Sequence, residues 1–223
     1  MRLINADMFI DLVNMEDNIY FFIIESPTLF YNIVKGLKDQ IDGLDGNFVL
    51  SDNNVPLEIK DSLHLILDPI SLDFKDKKIV TKIQELLINQ AIDEAHFDET
   101  SQLIKNLEKY ANNLGFDFDG EVSNKELITP SKLIKFLKFE LDYSYDTFDE
   151  MILEYILTVN RYLGIDVFGF VNLFDFLETN QIERLIKEIK NNHISVFFLE
   201  SHDSSIIING FTKIIIDSDF CQI

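Results

Sequence analysis

Positive charge is scarce in this chain. Its 223 residues hold 19 Lys and Arg against 39 Asp and Glu, a formal net charge of −20. Nothing in that balance draws the general surface to a polyanion, so any nucleic-acid contact has to come from local basic islands. Cysteine is nearly absent: Cys221 stands alone. It cannot close an internal disulfide, which fits a reducing cytosol and gives little reason to assign it a metal or catalytic role. No segment approaches about 18 uncharged apolar residues, and the opening MRLINADMFIDLVNMED has no basic leader ahead of a long apolar run. We therefore expect a cytoplasmic protein that does not enter a membrane. Internal repeats, low-complexity tracts and Pro- or Gly-rich linkers are missing too.

What the chain does have is apolar bulk. Hydrophobic residues make up 47% of it, 20 of them Phe, enough for one substantial core and a smaller second lobe. Residues 165–198 organise the rest, because the hydrophobic period changes there twice. Ile165 to Val171 is an almost unbroken apolar run with Gly169 inside it. Ile182, Leu185, Ile186 and Ile189 then recur at helical spacing, and Ile194 to Leu199 is apolar again. Strands apolar on both faces are covered on both faces, so the helix between them is expected to cross over a parallel pair in the right-handed sense. The fold class read from this is α/β.

Elsewhere, short apolar runs over 8–13 and 19–24 read as strands around MEDN. Ser26 and Pro27 then open a helix whose face is Leu29, Phe30, Ile33, Val34 and Leu37. Further strands are expected over 48–50, 55–57 and 63–67, which makes the first seventy residues β-rich with one helix. From about Phe74 the pattern turns helical for some seventy residues. One stripe is Ile79, Ile83, Leu86, Leu87 and Ala91; another is Leu103, Ile104, Leu107, Tyr110 and Leu114. Thr129 and Pro130 open a third helix. Asp146 or Thr147 opens a fourth, which Gly164 ends. Short runs at 206–208 and 213–216 finish the chain. We read a helical insertion, residues 75–150, within an α/β domain made of residues 1–74 and 151–223.

A strand followed by a helix invites a nucleotide, yet neither GxxxxGK with Ser or Thr after it nor GxGxxG occurs. The first strand-to-helix turn, Glu25 to Thr28, puts an acid where a phosphate cradle needs glycine backbone and a lysine. His64, His96, His193 and His202 are scattered, none at the i+4 spacing of a zinc helix, and read as structural. No Ser, His and Asp grouping marks an active site, so no enzyme is expected. Asp217 and Asp219 read as a turn in preference to a nuclease pair.

Asp117, Asp119, Glu121 and Glu126 form the best metal candidate. Against the calcium-loop pattern, Asp117, Asp119, Gly120 and Glu126 fall at places three, five, six and twelve, but Gly115 stands where the first acid belongs. The alternatives are calcium in another geometry and a solvated acidic loop. Against the scarcity of cations, two clusters stand out. Lys132, Lys135 and Lys138 lie in an acid-free stretch opposite Leu133, Ile134 and Leu137; Lys75, Lys77, Lys78 and Lys82 share residues 74–84 with one acid, Asp76. The alternatives for both are a polyanion contact and, favoured by charge alone, an ordinary solvated helix face.

The phrases LHLILDPISLDFKDKKIVTKI, KLIKFLKFELDYSYDTFDEMILEYI, VFGFVNLFDFLET and ISVFFLE, in this order, resemble the accessory spacer-acquisition protein of type II-A CRISPR systems. That resemblance implies an α/β head similar to a degenerate nucleotide-binding fold, with a helical leg inserted. It further implies a calcium-stabilised homotetrameric ring that binds double-stranded DNA ends through a lysine-lined hole, without cutting them. The partners it implies are double-stranded DNA, further copies of the chain, the CRISPR adaptation integrase complex and the effector nuclease. Lys135 is the best supported of the lysines carried over. The extra residues in FDFDGEVSNKE leave the ligand set open. The alternative is a degenerate nucleotide-binding regulator that acts through protein contacts.

Overall fold

The structure, a computed structural model, describes residues 2–5, 10–13, 19–120, 122, 126–203, 212–217 and 219. The chain divides into two compact units, a sheet unit of Met1–Asp73 with Tyr143–Ile223 and a helical unit of Phe74–Asp142. The MEDN turn and the short run expected at 206–208 lie outside the described residues.

The sheet unit is built on five parallel strands. β3 (Ile19–Ile24) lies between β8 (Ser195–Glu200) and β9 (Thr212–Ile216). Beyond β8 come β7 (Val167–Val171) and then β6 (Leu63–Ile66). All six residues of β3 and all five of β7 are buried, which is why these segments read as unbroken apolar runs with no alternation. A Cβ on Gly169 would meet the Phe197 ring at 2.4 Å and Leu65 Cδ1 at 2.9 Å, so the apolar run carries glycine where neighbouring strands leave no room. The helix between β7 and β8 is α7 (Thr179–Asn191), as its spacing predicts.

A second sheet, antiparallel, was not expected. Its order is β2 (Ile10–Val13), β1 (Arg2–Asn5), β4 (Phe48–Asp52) and β5 (Val55–Leu57). Asn53 and Asn54 both adopt positive φ between β4 and β5, the backbone of a two-residue hairpin turn that asparagine tolerates. The expectation of a single helix before residue 70 is also corrected, since α2 (Ile59–Ser62) adds one turn ahead of β6.

Local chemistry sets the helix ends. Ser26 accepts a hydrogen bond from Leu29 N at 3.4 Å and Pro27 takes the first position of α1 (Pro27–Ile41). Thr147 and Glu150 form a capping box on α6 (Phe148–Leu163), and Gly164 ends it with φ 70°. One face of the parallel sheet joins α1 and the antiparallel sheet in a core of Phe22, Ile33, Leu37, Leu50, Phe197 and Leu199. The other face carries a ring cluster in which Phe198 stacks on Phe21 at 4.9 Å and Phe170 at 5.7 Å, with Phe174 beside it at 5.0 Å. Truncating Phe198 to alanine would cost about 3–5 kcal/mol by the usual core scale.

The helical unit contains α3 (Lys77–Ala91), α4 (Phe97–Phe116) and α5 (Pro130–Leu137). Its interior is thin, with Ile79, Ile83 and Ile134 buried. α4 buries nothing: Leu103, Tyr110 and Leu114 of its apolar stripe stand 46–62% exposed. Among the described residues no helix is long and apolar enough to cross a membrane.

Candidate nucleic-acid interface

The helical unit is richer in cations than the rest of the chain. Residues 74–142 carry 10 of the 19 Lys and Arg but only 13 of the 39 acids, a net charge of −3 against −17 for the remainder. α3 and α5 pack against each other, and Ile79, Ile83 and Ile134 are their buried residues. Pro130 and Leu133 lie near Leu87 and Ala91 around an open hollow of about 300 Å³ that α4 also lines. At the other end Lys75 Nζ sits 2.6 Å from Glu140 Oε2. α5 therefore runs antiparallel to α3, so Lys138, two residues before Glu140, falls beside the start of α3, where Lys77 and Lys78 stand. Two islands far apart in sequence thus lie on two helices that pack together.

The seven lysines are all exposed but not equally committed. Lys75 is held by Glu140, Lys82 by Glu85 at 3.6 Å, and Lys132 by Glu126 at 2.9 Å and by the Leu127 carbonyl at 3.1 Å. Exposed pairs of this kind are worth about 0–1 kcal/mol, so they break readily for a better anion. Lys77, Lys78, Lys135 and Lys138 make no ion pair among the described residues. Lys77 and Lys78 occupy the first turn of α3, which carries no acid, and their charge adds to the positive end of the helix dipole. Lys138 ends α5 with φ 50° and ψ 55°, a left-handed backbone that lysine enters at a cost.

The described residues of the acidic stretch do not assemble into a cation site. Asp117 caps α4, its N–H donating to Asn113 O at 3.1 Å, while Glu126 is held by Lys132, whose ammonium keeps its carboxyl below the usual range. Glu121 lies outside the described residues. Among the described residues no three His, Cys, Asp or Glu side chains gather to hold a cation. Asp117, Asp119 and Glu126 alone therefore do not fit a calcium site.

At the carboxyl edge of the parallel sheet, two residues join β3 to α1. Glu25 N donates to Ile216 O at 2.9 Å and the Ser26 hydroxyl caps the helix, so this turn forms no glycine cradle for a phosphate. His64 meets the Tyr155 hydroxyl at 3.1 Å, His96 meets Asp93 at 2.8 Å and His202 meets Asp175 at 3.2 Å, structural pairings as expected. His193 follows α7 with φ 56°. Asp219 N donates to Asp217 Oδ1 at 2.9 Å, the turn that DSD suggested.

Two charged groups escaped the sequence reading. Glu200 ends β8 only 2% exposed, its Oε1 accepting from Phe174 N at 3.4 Å; burial pushes its carboxyl up to about 8. Asp149 at the start of α6 is 3% exposed and accepts from Arg184 Nε and Nη2, both at 3.0 Å, and from Gln181 Nε2 at 3.2 Å. The one signal for Glu200 was an acid closing an apolar run; Asp149 had none, because acids are ordinary in a first helical turn.

A family model described as CRISPR-associated protein (Cas_Csn2) matches residues 40–220. No curated protein matches the chain. Among solved structures, cbiO1 from Clostridium perfringens, part of the ABC transporter complex cbiONQ, aligns over 92% of this chain and 78% of its own. The identity is 13% and the TM-score 0.43.

Proposed function

The chain belongs to the Cas_Csn2 family of CRISPR-associated proteins, which gives it a role in CRISPR adaptation, and from that premise we propose that it is a non-catalytic binder of double-stranded DNA ends. Further copies of the chain would complete a ring around the duplex. The observation that carries the reading is that the two lysine islands lie on α3 and α5, helices that pack against each other in a unit of nearly neutral charge. Cations there face a phosphate backbone without specifying sequence, because phosphate contacts carry no base information. Calcium belongs to this reading as an assembly ligand. Since the described acids do not form its site, a ligand set would need residues beyond them, and loss of solution mass on chelation is its test.

The test of the whole reading is binding to linear and to covalently closed circular duplex of one sequence, across a salt series. Linear DNA should bind more tightly, and Lys132→Ala, Lys135→Ala and Lys138→Ala together should weaken binding to every sequence alike and flatten the salt slope. Equal affinity for linear and circular DNA, or full affinity in the triple variant, refutes it. No binding with any duplex would favour a regulator acting through protein contacts.

A further inference from the structure

Phe136 stands 80% exposed on α5, an expensive place for a phenyl ring in a helix whose other side is apolar. At roughly 100° of turn per residue, Lys132, Lys135 and Phe136 share one outward sector while Ile134, 8% exposed, points the opposite way. The apolar hollow between the helices takes Leu133, Ile134 and Leu137 from α5 but not Phe136. The ring therefore belongs neither to the core nor to that hollow. It sits among cations, within a stretch from Leu127 to Phe139 that contains no acid. Two other exposed rings of the helical unit, Phe116 and Phe118, interleave with Asp117 and Asp119 instead, a setting that repels phosphate.

A duplex end differs from its interior in its terminal hydroxyl or phosphate groups and in a terminal base pair that offers an uncovered aromatic face. Lysines flanking a solvent-exposed ring match that object, with phosphates meeting the ammonium groups and the ring meeting the last pair. Resting on the DNA-end reading above, we propose that Phe136 stacks on the terminal base pair of a bound duplex and so distinguishes ends from continuous helix.

The experiment compares a blunt duplex with the same sequence closed by a hairpin loop at each end, using 2-aminopurine at the terminal pair as the stacking probe. Wild-type protein should prefer the blunt duplex and quench the probe. Phe136→Ala should lower that preference roughly tenfold, the scale of one lost base–aromatic stack, and abolish the added quenching. Phe136→Trp should keep both. The salt slope should not move in either variant, since no cation is lost. A Phe136→Ala protein that retains the preference and the quenching overturns the inference and leaves the lysine reading standing. A change in solution mass of Phe136→Ala overturns it as well, by assigning the ring to a contact between copies. Failure of wild-type protein to bind either duplex removes the DNA-end reading itself.

Discussion

Glu200→Gln should change the pH dependence of folding more than any surface substitution. The Glu200 side chain ends β8 at 2% exposure, and the cost of burying a charge pushes its carboxyl up to about 8, the hydrogen bond from Phe174 N opposing this and the charge of Asp175 adding to it. The ordinary value is 4.5. The folded protein thus holds a proton that the unfolded chain releases above about pH 4.5. Stability from this group is fully present below that pH and is lost as pH rises towards 8, at up to about 1.4 kcal/mol per pH unit. Glutamine is neutral at every pH and still presents an acceptor to Phe174 N. Urea unfolding of both proteins at pH 5, 6, 7 and 8 therefore gives a difference curve from which all other titrating groups cancel. The variant should gain on the wild type across that range, by a total on the order of 3 kcal/mol, and the gain should level off above pH 8. Parallel curves would refute the reasoning, because they would mean that Glu200 titrates alike in the folded and unfolded states.

Two further outcomes follow from other charged positions. Burial pushes Asp149 up, but the hydrogen bonds from Arg184 and Thr147 outweigh it and hold the carboxyl below the usual range. Arg184→Met should then cost roughly 3 kcal/mol in denaturant unfolding at neutral pH, the low end for a broken buried pair because Arg184 is half exposed. The loss should shrink as pH falls through the depressed value of Asp149, and Asp149→Asn added to it should recover most of it; additive losses would count against the pairing. Lys138→Gly should raise stability by about 1 kcal/mol in thermal unfolding, by relieving a left-handed lysine, while weakening DNA binding. A glycine variant that is destabilised would show that the Lys138 side chain holds α5 in place.

The parts of the fold legible in the sequence are those where one local rule dominates. β3, β7 and β8 are covered on both faces, so their runs have no competing periodicity, and Ser26–Pro27, Thr147 with Glu150, and Gly164 mark helix ends by backbone chemistry that is wholly local. β1 was missed because it spans four residues with only Leu3 and Asn5 buried, too short for an alternation to register. The family resemblance rested on apolar phrases between Leu63 and Leu199, which the matched span of 40–220 encloses. In the candidate site, the lysine islands were visible as composition. Which lysines are committed was not, since Glu140 and Glu126 become partners only once the chain folds back. Glu200 and Asp149 were hidden for the same reason, because burial of a charge is decided by distant elements.

How a chain of net charge −20 could hold DNA comes down to counting cations that reach the phosphates. Surface charges farther apart than about 8 Å are largely screened at physiological salt, so acids beyond that distance do not cancel a lysine in direct contact with DNA. Each neutralised phosphate adds about 0.9 to the slope of log affinity against log salt. Among the described residues of the two islands, Lys77, Lys78, Lys135 and Lys138 make no ion pair, so one copy acting alone should give a slope of about −3 to −4. A ring would bring several copies of the same patch to one duplex and steepen the slope severalfold, without any new kind of contact. Measuring the slope from 50 to 300 mM salt, beside the solution mass of the complex, separates the two arrangements. A slope near −4 with a complex holding several copies would mean that one patch alone touches DNA, which would refute a basic lining shared around the duplex.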